Sequence, residues 1–180
     1  MMTTTYRLPV VCLLLAVSLP AWAGKSGIQT AGDYIQIIIP ATAYLSTYTT
    51  HSKEGRTQFY QSFFTSLAVT HGLKLIVDKD RPDGSDNNSF PSGHTAAAFQ
   101  GAGFIQKRYG WRYGLPAYAL ASFVGYSRVY AKKHYLEDVL AGAAISLISC
   151  EQFTTRYKRK RLNVGAHPSL MGVSFRLSWQ

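Results

Sequence analysis

Five apolar stretches alternate with short polar segments along most of the chain, and this alternation predicts its architecture. Within a stretch, apolar residues recur at the spacing of one helix face, as Phe59, Phe63 and Leu67 do. Small residues such as Gly125 and Gly142 would let neighbouring helices approach closely. We therefore predict an all-α bundle of about five helices. The predicted helices cover residues 33–49, 57–77, 92–109, 113–130 and 135–153.

The first apolar stretch carries two local signals. Asp33 stands where its pattern starts, and aspartate is favoured at helix N-caps because its carboxylate accepts hydrogen bonds from free backbone N–H groups. Pro40 lies inside the stretch and lacks the N–H that would continue the hydrogen-bond ladder. We expect the first helix to begin at Asp33 and to kink at Pro40.

Residues 1–23 have the pattern of a secretory signal peptide. A positive charge precedes an apolar run from Leu8 to Leu19, and Ala21 to Ala23 form a small-x-small cleavage motif. If this segment were retained, it would supply a sixth helix. Its cleavage would remove Cys12 and leave Cys150 without a partner, so we expect no internal disulfide. The pattern predicts export to the cell envelope.

The end of the chain, residues 163–180, has a different pattern. From Val173 to Trp179 apolar and polar residues alternate with the period of a strand. No second strand is evident to pair with this segment, so we expect a loosely ordered tail. We find no internal repeat and no low-complexity linker, and we predict one folded domain over residues 24–162.

The charge balance indicates an acidic partner. The chain has 19 Lys+Arg against 9 Asp+Glu, a formal net charge of +10, although charged residues make up only 16% of it. Such an excess fits nucleic acid, an anionic membrane surface or a phosphorylated substrate. Export disfavours nucleic acid.

The distribution of the basic residues favours a membrane. They concentrate in alternate turns between the predicted helices, at residues 53–56, 107–112 and 156–161, as the positive-inside rule requires. This favours a bundle embedded in the inner membrane. A soluble bundle with solvated basic turns stays open as an alternative, because several stretches are shorter than the roughly 20 residues of a spanning helix.

Three short clusters at one end of the predicted bundle carry the candidate chemistry. Lys74, Arg81 and Arg128 supply cations whose donors suit the oxygens of a phosphate. Ser92 and Gly93 open a predicted helix, so their backbone N–H groups and the helix dipole can point at the same anion. Together these residues predict an anion-binding cradle.

Two histidines accompany this cradle. His134 and Asp138 are four residues apart and therefore neighbours on a helix face, where the carboxylate can hold one ring nitrogen protonated. The other nitrogen then carries a lone pair, which makes His134 the candidate nucleophile towards phosphorus. His94 starts another helix and is the candidate general acid for the leaving group.

Neither a metal ion nor another cofactor is expected. The aspartates of the polar segment lack the glycine and closing glutamate of an EF-hand calcium loop, so we interpret them as residues that solvate an exposed turn. The two candidate histidines have no zinc-binding spacing with a cysteine pair. The aspartates concerned are Asp78, Asp80, Asp83 and Asp86.

Taken together, KLIVDKDRP (74–82), SFPSGH (89–94) and SRVYAKKHYLED (127–138) resemble the three-part signature of the type-2 phosphatidic acid phosphatases. That superfamily includes bacterial nonspecific acid phosphatases and vanadium haloperoxidases. The resemblance implies a helical bundle and metal-independent hydrolysis of phosphate esters. It also implies phosphate binding by Lys74, Arg81, Ser92, Gly93 and Arg128, with His94 as general acid, His134 as the phosphorylated nucleophile and Asp138 as its orienting partner.

Two features depart from the commoner membrane members of that superfamily. Only eight residues separate Pro82 from Pro91, which leaves no room for a large substrate-capping insertion. Five helices are predicted for the mature chain, whereas six spans are usual. Substrate and topology are the properties that these departures affect.

The sequence thus predicts an envelope phosphatase that acts on a lipid phosphate, a lipid pyrophosphate or a small phosphomonoester. The favoured location is the inner membrane, with the active site facing the periplasm. A soluble periplasmic acid phosphatase of broad specificity would have the same site. A vanadate-dependent haloperoxidase and a non-catalytic membrane module are less favoured alternatives.

Overall fold

The computed structural model describes residues 25–157, 160–166 and 173–179. The predicted signal segment lies outside these residues. Within the described residues, five helices follow one another, which confirms the predicted all-α bundle. They are α1 (Lys25–Thr49), α2 (Lys53–Ile76), α3 (Gly93–Tyr109), α4 (Trp111–Tyr130) and α5 (Leu136–Phe153). Among the described residues, no helix combines the length and the apolar character needed to cross a membrane.

The start of α1 differs from the prediction. The helix begins at Lys25, so Asp33 lies inside it and is not its N-cap. Tertiary contacts explain the earlier start, because the first turns of α1 pack on the end of α4. A Cβ on Gly32 would lie 2.1 Å from Ser127 Oγ, so only glycine permits this approach. Pro40 lies inside α1, as expected.

Side-chain caps fix the start of two further helices. Ser52 caps α2 by accepting a hydrogen bond from Gly55 N at 3.0 Å. Ser92 caps α3 by accepting from Thr95 N at 3.4 Å. Both helices therefore begin where a serine satisfies backbone N–H groups that have no partner within the helix.

Helix α3 lies at the centre of the bundle and packs against all four other helices. Its buried face consists mainly of small residues, with Ala98 and Ala102 completely buried. At Gly101 the backbone of α1 comes so close that a Cβ would lie 2.6 Å from Pro40 N. The small residues of α3 therefore set how closely the bundle packs.

At one end of the bundle the turns converge on a buried arginine. Arg108 is 1% exposed and donates to Ser52 Oγ at 2.6 Å and to Gln58 Oε1 at 2.8 Å. It also donates to the carbonyl oxygen of Thr155 at 3.3 Å. From the sequence, Arg108 was one of the basic turn residues of the positive-inside pattern, and its burial was not predicted. Its guanidinium instead joins the start of α2 to the segment that follows α5.

The C-terminal segment forms a two-stranded sheet. Strands β1 (Lys160–Ala166) and β2 (Val173–Trp179) pair antiparallel, with Lys160 opposite Trp179 and Ala166 opposite Val173. The strand period of the sequence was correct, but the expectation that no partner strand exists was wrong. The partner lies in a run that its basic residues had marked as a turn. The predicted domain limits stay predictions.

Two glycines of the bundle should respond oppositely to alanine. We expect Gly101→Ala to lower the free energy of unfolding by about 1–3 kcal/mol, because the new methyl group collides with the backbone of α1. Gly72→Ala should raise it by about 0.5–1 kcal/mol, since nothing lies within 4 Å of its Cβ position in α2. Denaturant unfolding of both variants measures the two changes. A Gly101→Ala variant as stable as the wild type would contradict the close approach at Gly101, and a destabilised Gly72→Ala variant would contradict the open space at Gly72.

Candidate active site

A cleft of about 360 Å³ opens where α2 ends and α3 begins. Five of the eight predicted site residues line this cleft. They are Lys74, Arg81, Gly93, His94 and His134. The other three, Ser92, Arg128 and Asp138, are buried behind its wall, at 0%, 2% and 0% exposure. The structure therefore brings the three sequence clusters together at one end of the bundle, as predicted.

Aspartates hold the loop between α2 and α3 in place. Asp86 accepts a hydrogen bond from Arg81 Nε at 2.6 Å and so directs that side chain from within its own loop. Asp83 pairs with Lys133 at 2.6 Å, which ties this loop to the one between α4 and α5. The interpretation that these aspartates only solvate a turn was therefore incomplete. The Lys133 ammonium holds the pKa of the Asp83 carboxyl far below its usual range.

His134 is held by a backbone carbonyl. Its Nδ1 lies 2.7 Å from the carbonyl oxygen of Ser89, an atom that can only accept a hydrogen bond. The neutral ring therefore carries its proton on Nδ1. Nε2 is left with the lone pair that a nucleophile needs.

The surroundings of His134 favour this neutral form. Burial disfavours the imidazolium, and the cations Arg81 and Lys74 act in the same direction. The Ser89 carbonyl and Asp138 act in the opposite direction and do not compensate. Together these effects lower the pKa of His134 to about 4, so the lone pair is available in mildly acidic and neutral solution.

Asp138, the predicted orienting partner, lies 3.8 Å from His134 Nδ1. Its carboxylate oxygens are taken by other groups: it accepts from Lys79 Nζ at 2.6 Å, from Ser89 Oγ and from Tyr135 N at 2.9 Å. Burial opposes its ionisation, but these three donors hold the pKa of Asp138 below its ordinary value. Asp138 acts on His134 mainly through Ser89. It accepts a hydrogen bond from the Ser89 hydroxyl, and the Ser89 carbonyl accepts one from His134.

Lys79 was not among the predicted site residues. Besides Asp138, its ammonium binds Glu137 Oε1 at 2.6 Å and lies 4.7 Å from the ring centre of Tyr135. Its backbone carbonyl accepts from Ser89 N at 2.9 Å. Lys79 therefore fixes Ser89 and Asp138 at once. No sequence signal marked this residue beyond its position in the first cluster.

Lys74 projects from the last turn of α2 into the cleft and donates to the carbonyl oxygen of Asn88 at 2.7 Å. Its partial burial and the nearby Arg81 guanidinium lower the pKa of Lys74. Two cations close to each other repel, and a bound anion would relieve that repulsion. The cleft is thus suited to a phosphate group.

The N-terminus of α3 offers fewer free N–H groups to an anion than predicted. Gly93 lines the cleft, and a Cβ there would have no atom within 4 Å, so an anion can approach the helix start closely. Ser92 N, in contrast, donates to the carbonyl oxygen of Asp138 at 2.9 Å. That N–H is therefore occupied within the protein, and Ser92 serves as the cap of α3.

A carboxylate from α1 enters the site beside His94. Asp33 Oδ1 lies 3.1 Å from His94 Nε2 and 2.7 Å from Arg128 Nη1. Arg128 also donates to the carbonyl oxygen of Gln29 at 2.6 Å and to Ser127 Oγ at 3.1 Å. The sequence had assigned Asp33 to a helix cap, and no motif connected it with the other clusters.

Within the part of the chain that the structure describes, no group of three or more His, Cys, Asp and Glu side chains is arranged to hold a metal ion. The candidate chemistry is therefore built from histidines, cations and a helix start.

Known proteins are similar in sequence to the part of the chain that contains the site residues. A sequence model described as the PAP2 superfamily matches residues 52–161. The chain is 34% identical over 138 residues to a lipid A 1-phosphatase of Porphyromonas gingivalis, an alignment that covers 71% of this chain and 31% of that protein. It is 43% identical over 96 residues to a lipid A 4'-phosphatase of Helicobacter pylori, covering 53% of this chain and 48% of that protein. The chain thus spans less than half of the length of these relatives.

A solved structure shares the fold. The crystal structure of Aquifex aeolicus LpxE superimposes with a TM-score of 0.58 at 20% sequence identity, and the match covers 81% of this chain and 92% of that one. At this identity the likeness concerns the arrangement of the helices. It supports the all-α bundle deduced from the sequence.

The contact between Lys79 and Asp138 should contribute to stability. We expect Lys79→Met to lower the free energy of unfolding at pH 7 by on the order of 2 kcal/mol, because Asp138 stays buried without its cation. Lys79→Arg should restore most of the loss. Glu137→Gln is the matched control, since it removes the exposed partner of Lys79 and leaves Asp138 paired.

The loss of stability caused by Lys79→Met should depend on pH. The pKa of Asp138 is depressed in the folded protein, so its contribution is complete above the unfolded value of about 4 and disappears as the pH falls through the folded value. Unfolding measured between pH 3 and 7 should therefore show the wild-type and Lys79→Met curves converging at the acid end. A constant difference over this range would contradict the assignment.

Proposed function

The chain belongs to the PAP2 superfamily, and we propose that it is a metal-independent phosphatase that hydrolyses lipid phosphates through a phosphohistidine. The observation that carries the proposal is the state of His134. Its Nδ1 donates to a carbonyl oxygen, so its Nε2 lone pair is available in a cleft that also holds Lys74 and Arg81.

The proposed reaction has two steps. In the first, the phosphate lies between Lys74, Arg81 and the start of α3, and His134 Nε2 attacks phosphorus. The bond to the leaving oxygen breaks while His94 gives that oxygen a proton. In the second, water attacks the phosphohistidine and gives its proton to His94, which releases phosphate and restores His134. Arg128, behind His94, would hold the phosphate side of the site in place.

Two features support a lipid as substrate. The cleft continues from the cations to an apolar wall, formed by Phe63, Leu67, Ala96 and Ala97. Large apolar side chains that neighbour Lys74 and His134 along the chain are also exposed, with Leu75 at 88%, Ile76 at 79% and Leu136 at 62%. Exposed apolar groups next to a phosphate site suit a substrate whose phosphate is attached to a hydrocarbon-rich body at a membrane surface. The relatives named as lipid A phosphatases agree with this chemistry.

The proposed location follows from the same features. If the exposed side chains of Leu75, Ile76 and Leu136 contact the bilayer, the enzyme acts at the inner membrane. The export signal predicted from the sequence favours an active site that faces the periplasm. Fractionation of cells separates this from a soluble periplasmic enzyme. Release by osmotic shock would contradict membrane association, and a requirement for detergent would support it.

His134→Ala should abolish turnover of p-nitrophenyl phosphate, because no other group replaces the attacking nitrogen. The loss should exceed about a thousandfold, which is typical when a nucleophile is removed. His51→Ala is the matched control, since His51 is exposed in the turn between α1 and α2. Activity of His134→Ala near that of the wild type would rule out the proposed mechanism.

The intermediate provides a second readout. Quenching wild-type enzyme during turnover of a phosphate-labelled substrate should trap label on a histidine, in a bond that is labile to acid and stable to base. The His134→Ala variant should retain none. Label on another residue type would exclude the phosphohistidine route.

Ala97→Leu should test whether the apolar wall holds the leaving group. The larger side chain narrows the cleft, so KM for a lipid monophosphate in detergent micelles should rise severalfold, while that for p-nitrophenyl phosphate changes little. Ala119→Leu, at an exposed position of α4, is the control. A chelator belongs in the buffer because no metal ion is expected. An equal rise in KM for both substrates would show that the lipid does not lie against this apolar wall.

A further inference from the structure

Helix α1 supplies the active site with a carboxylate that lies outside the family match. The PAP2 model covers residues 52–161, whereas Asp33 lies in α1. Its Oδ1 is shared between His94 Nε2, at 3.1 Å, and Arg128 Nη1, at 2.7 Å. Asp33 thus contacts both the proposed proton donor and a proposed phosphate-site cation.

A purely structural ion pair does not account for this geometry. Arg128 already binds α1 by donating to the carbonyl oxygen of Gln29 at 2.6 Å, and its Nε donates to Ser127 Oγ at 3.1 Å. The Asp33 side chain is 40% exposed and the His94 side chain 36% exposed, so neither lies in the packed core. The additional contact of Asp33 with His94 therefore affects a side chain that lines the cleft.

We propose that Asp33 is a positioning residue that fixes the ring of His94 and keeps it able to carry the proton for the leaving group. The proposal rests on the proposed phosphatase function. When Nε2–H of His94 donates to Asp33, the ring is fixed through that nitrogen. Nδ1 has no hydrogen-bond partner among the described residues, and it becomes the nitrogen that exchanges protons with the substrate.

The proton balance is closed by groups already in the site. In the first step the Nδ1 proton of His94 moves to the leaving oxygen as the P–O bond breaks and the bond from His134 Nε2 to phosphorus forms. In the second step the attacking water returns a proton to Nδ1 and the phosphohistidine bond breaks. The Asp33 carboxylate stabilises the charged ring before the first step and after the second, when His94 carries both protons.

The charges around His94 explain why such a carboxylate is needed. Arg128 faces it from α4, Arg81 from the loop before α3, and Lys74 and His134 share its cleft. Burial and the two arginines lower the pKa of His94, which disfavours the proton that a general acid must hold. Asp33 acts in the opposite direction through its charge and its hydrogen bond.

The dependence on the leaving group tests the proposal. p-Nitrophenolate leaves without protonation, whereas the alkoxide of an alkyl phosphate needs a proton in the transition state. We compare kcat/KM, which reports the steps up to loss of the leaving group and not hydrolysis of the phosphohistidine. We expect Asp33→Asn to lower kcat/KM by about tenfold to a hundredfold for an alkyl phosphate and by less than about threefold for p-nitrophenyl phosphate. His94→Asn should show the same selectivity, more strongly. Asp80→Asn, which removes an exposed negative charge from the same end of the bundle, should change neither.

The ratio of the two kcat/KM values does not depend on how much of a variant is folded, so partial misfolding of Asp33→Asn cannot imitate the result. An equal loss on both substrates would reduce Asp33 to a structural role and overturn the proposal. Higher activity on both would show that Asp33 competes with phosphate for Arg128, and would overturn it as well. A wild-type enzyme without phosphatase activity, in contrast, would refute the proposed function itself.

Discussion

The buried carboxylate of Asp138 is the interaction on which the active-site end depends. It is completely buried, and its side chain joins Lys79 and Ser89 of one loop to the backbone N–H of Tyr135 in another. Its backbone carbonyl receives Ser92 N at the start of α3. One anion therefore sets the relative position of all three sequence clusters. A buried charge is tolerated only with such a complete set of partners.

Much of this arrangement could be predicted from the sequence. The helices follow from local apolar spacing. The convergence of Lys74, His94 and His134 follows because the connection from α2 to α3 and that from α4 to α5 lie at the same end of an up-and-down bundle. The partner of His134 could not be predicted in the same way. Its Nδ1 binds the backbone carbonyl of Ser89, and a carbonyl belongs to every residue, so no residue type marks the one that is used.

The errors of prediction have a common physical origin. Asp33 was assigned from a local preference for helix caps, but contacts between α1 and α4 extend the helix beyond it. The strand from Lys160 to Ala166 was not predicted because its first two residues, Lys160 and Arg161, were counted in a basic run, and its pairing with β2 reveals it. Arg108 has a charge typical of surfaces, yet polar partners from two distant segments satisfy it in the interior. Each case was decided by contacts distant in sequence, which a local pattern does not contain.

The short connection between α2 and α3 has a consequence for the energetics of substrate capture. Asp86 holds Arg81 within this loop, and Asp83 joins the loop to Lys133 across the cleft. The recognition surface is therefore in order before a substrate arrives, and the entropy of ordering it belongs to folding and not to binding. The described residues between Pro82 and Pro91 form only a short loop, so under the proposed function a substrate would enter and its product leave by the same open path.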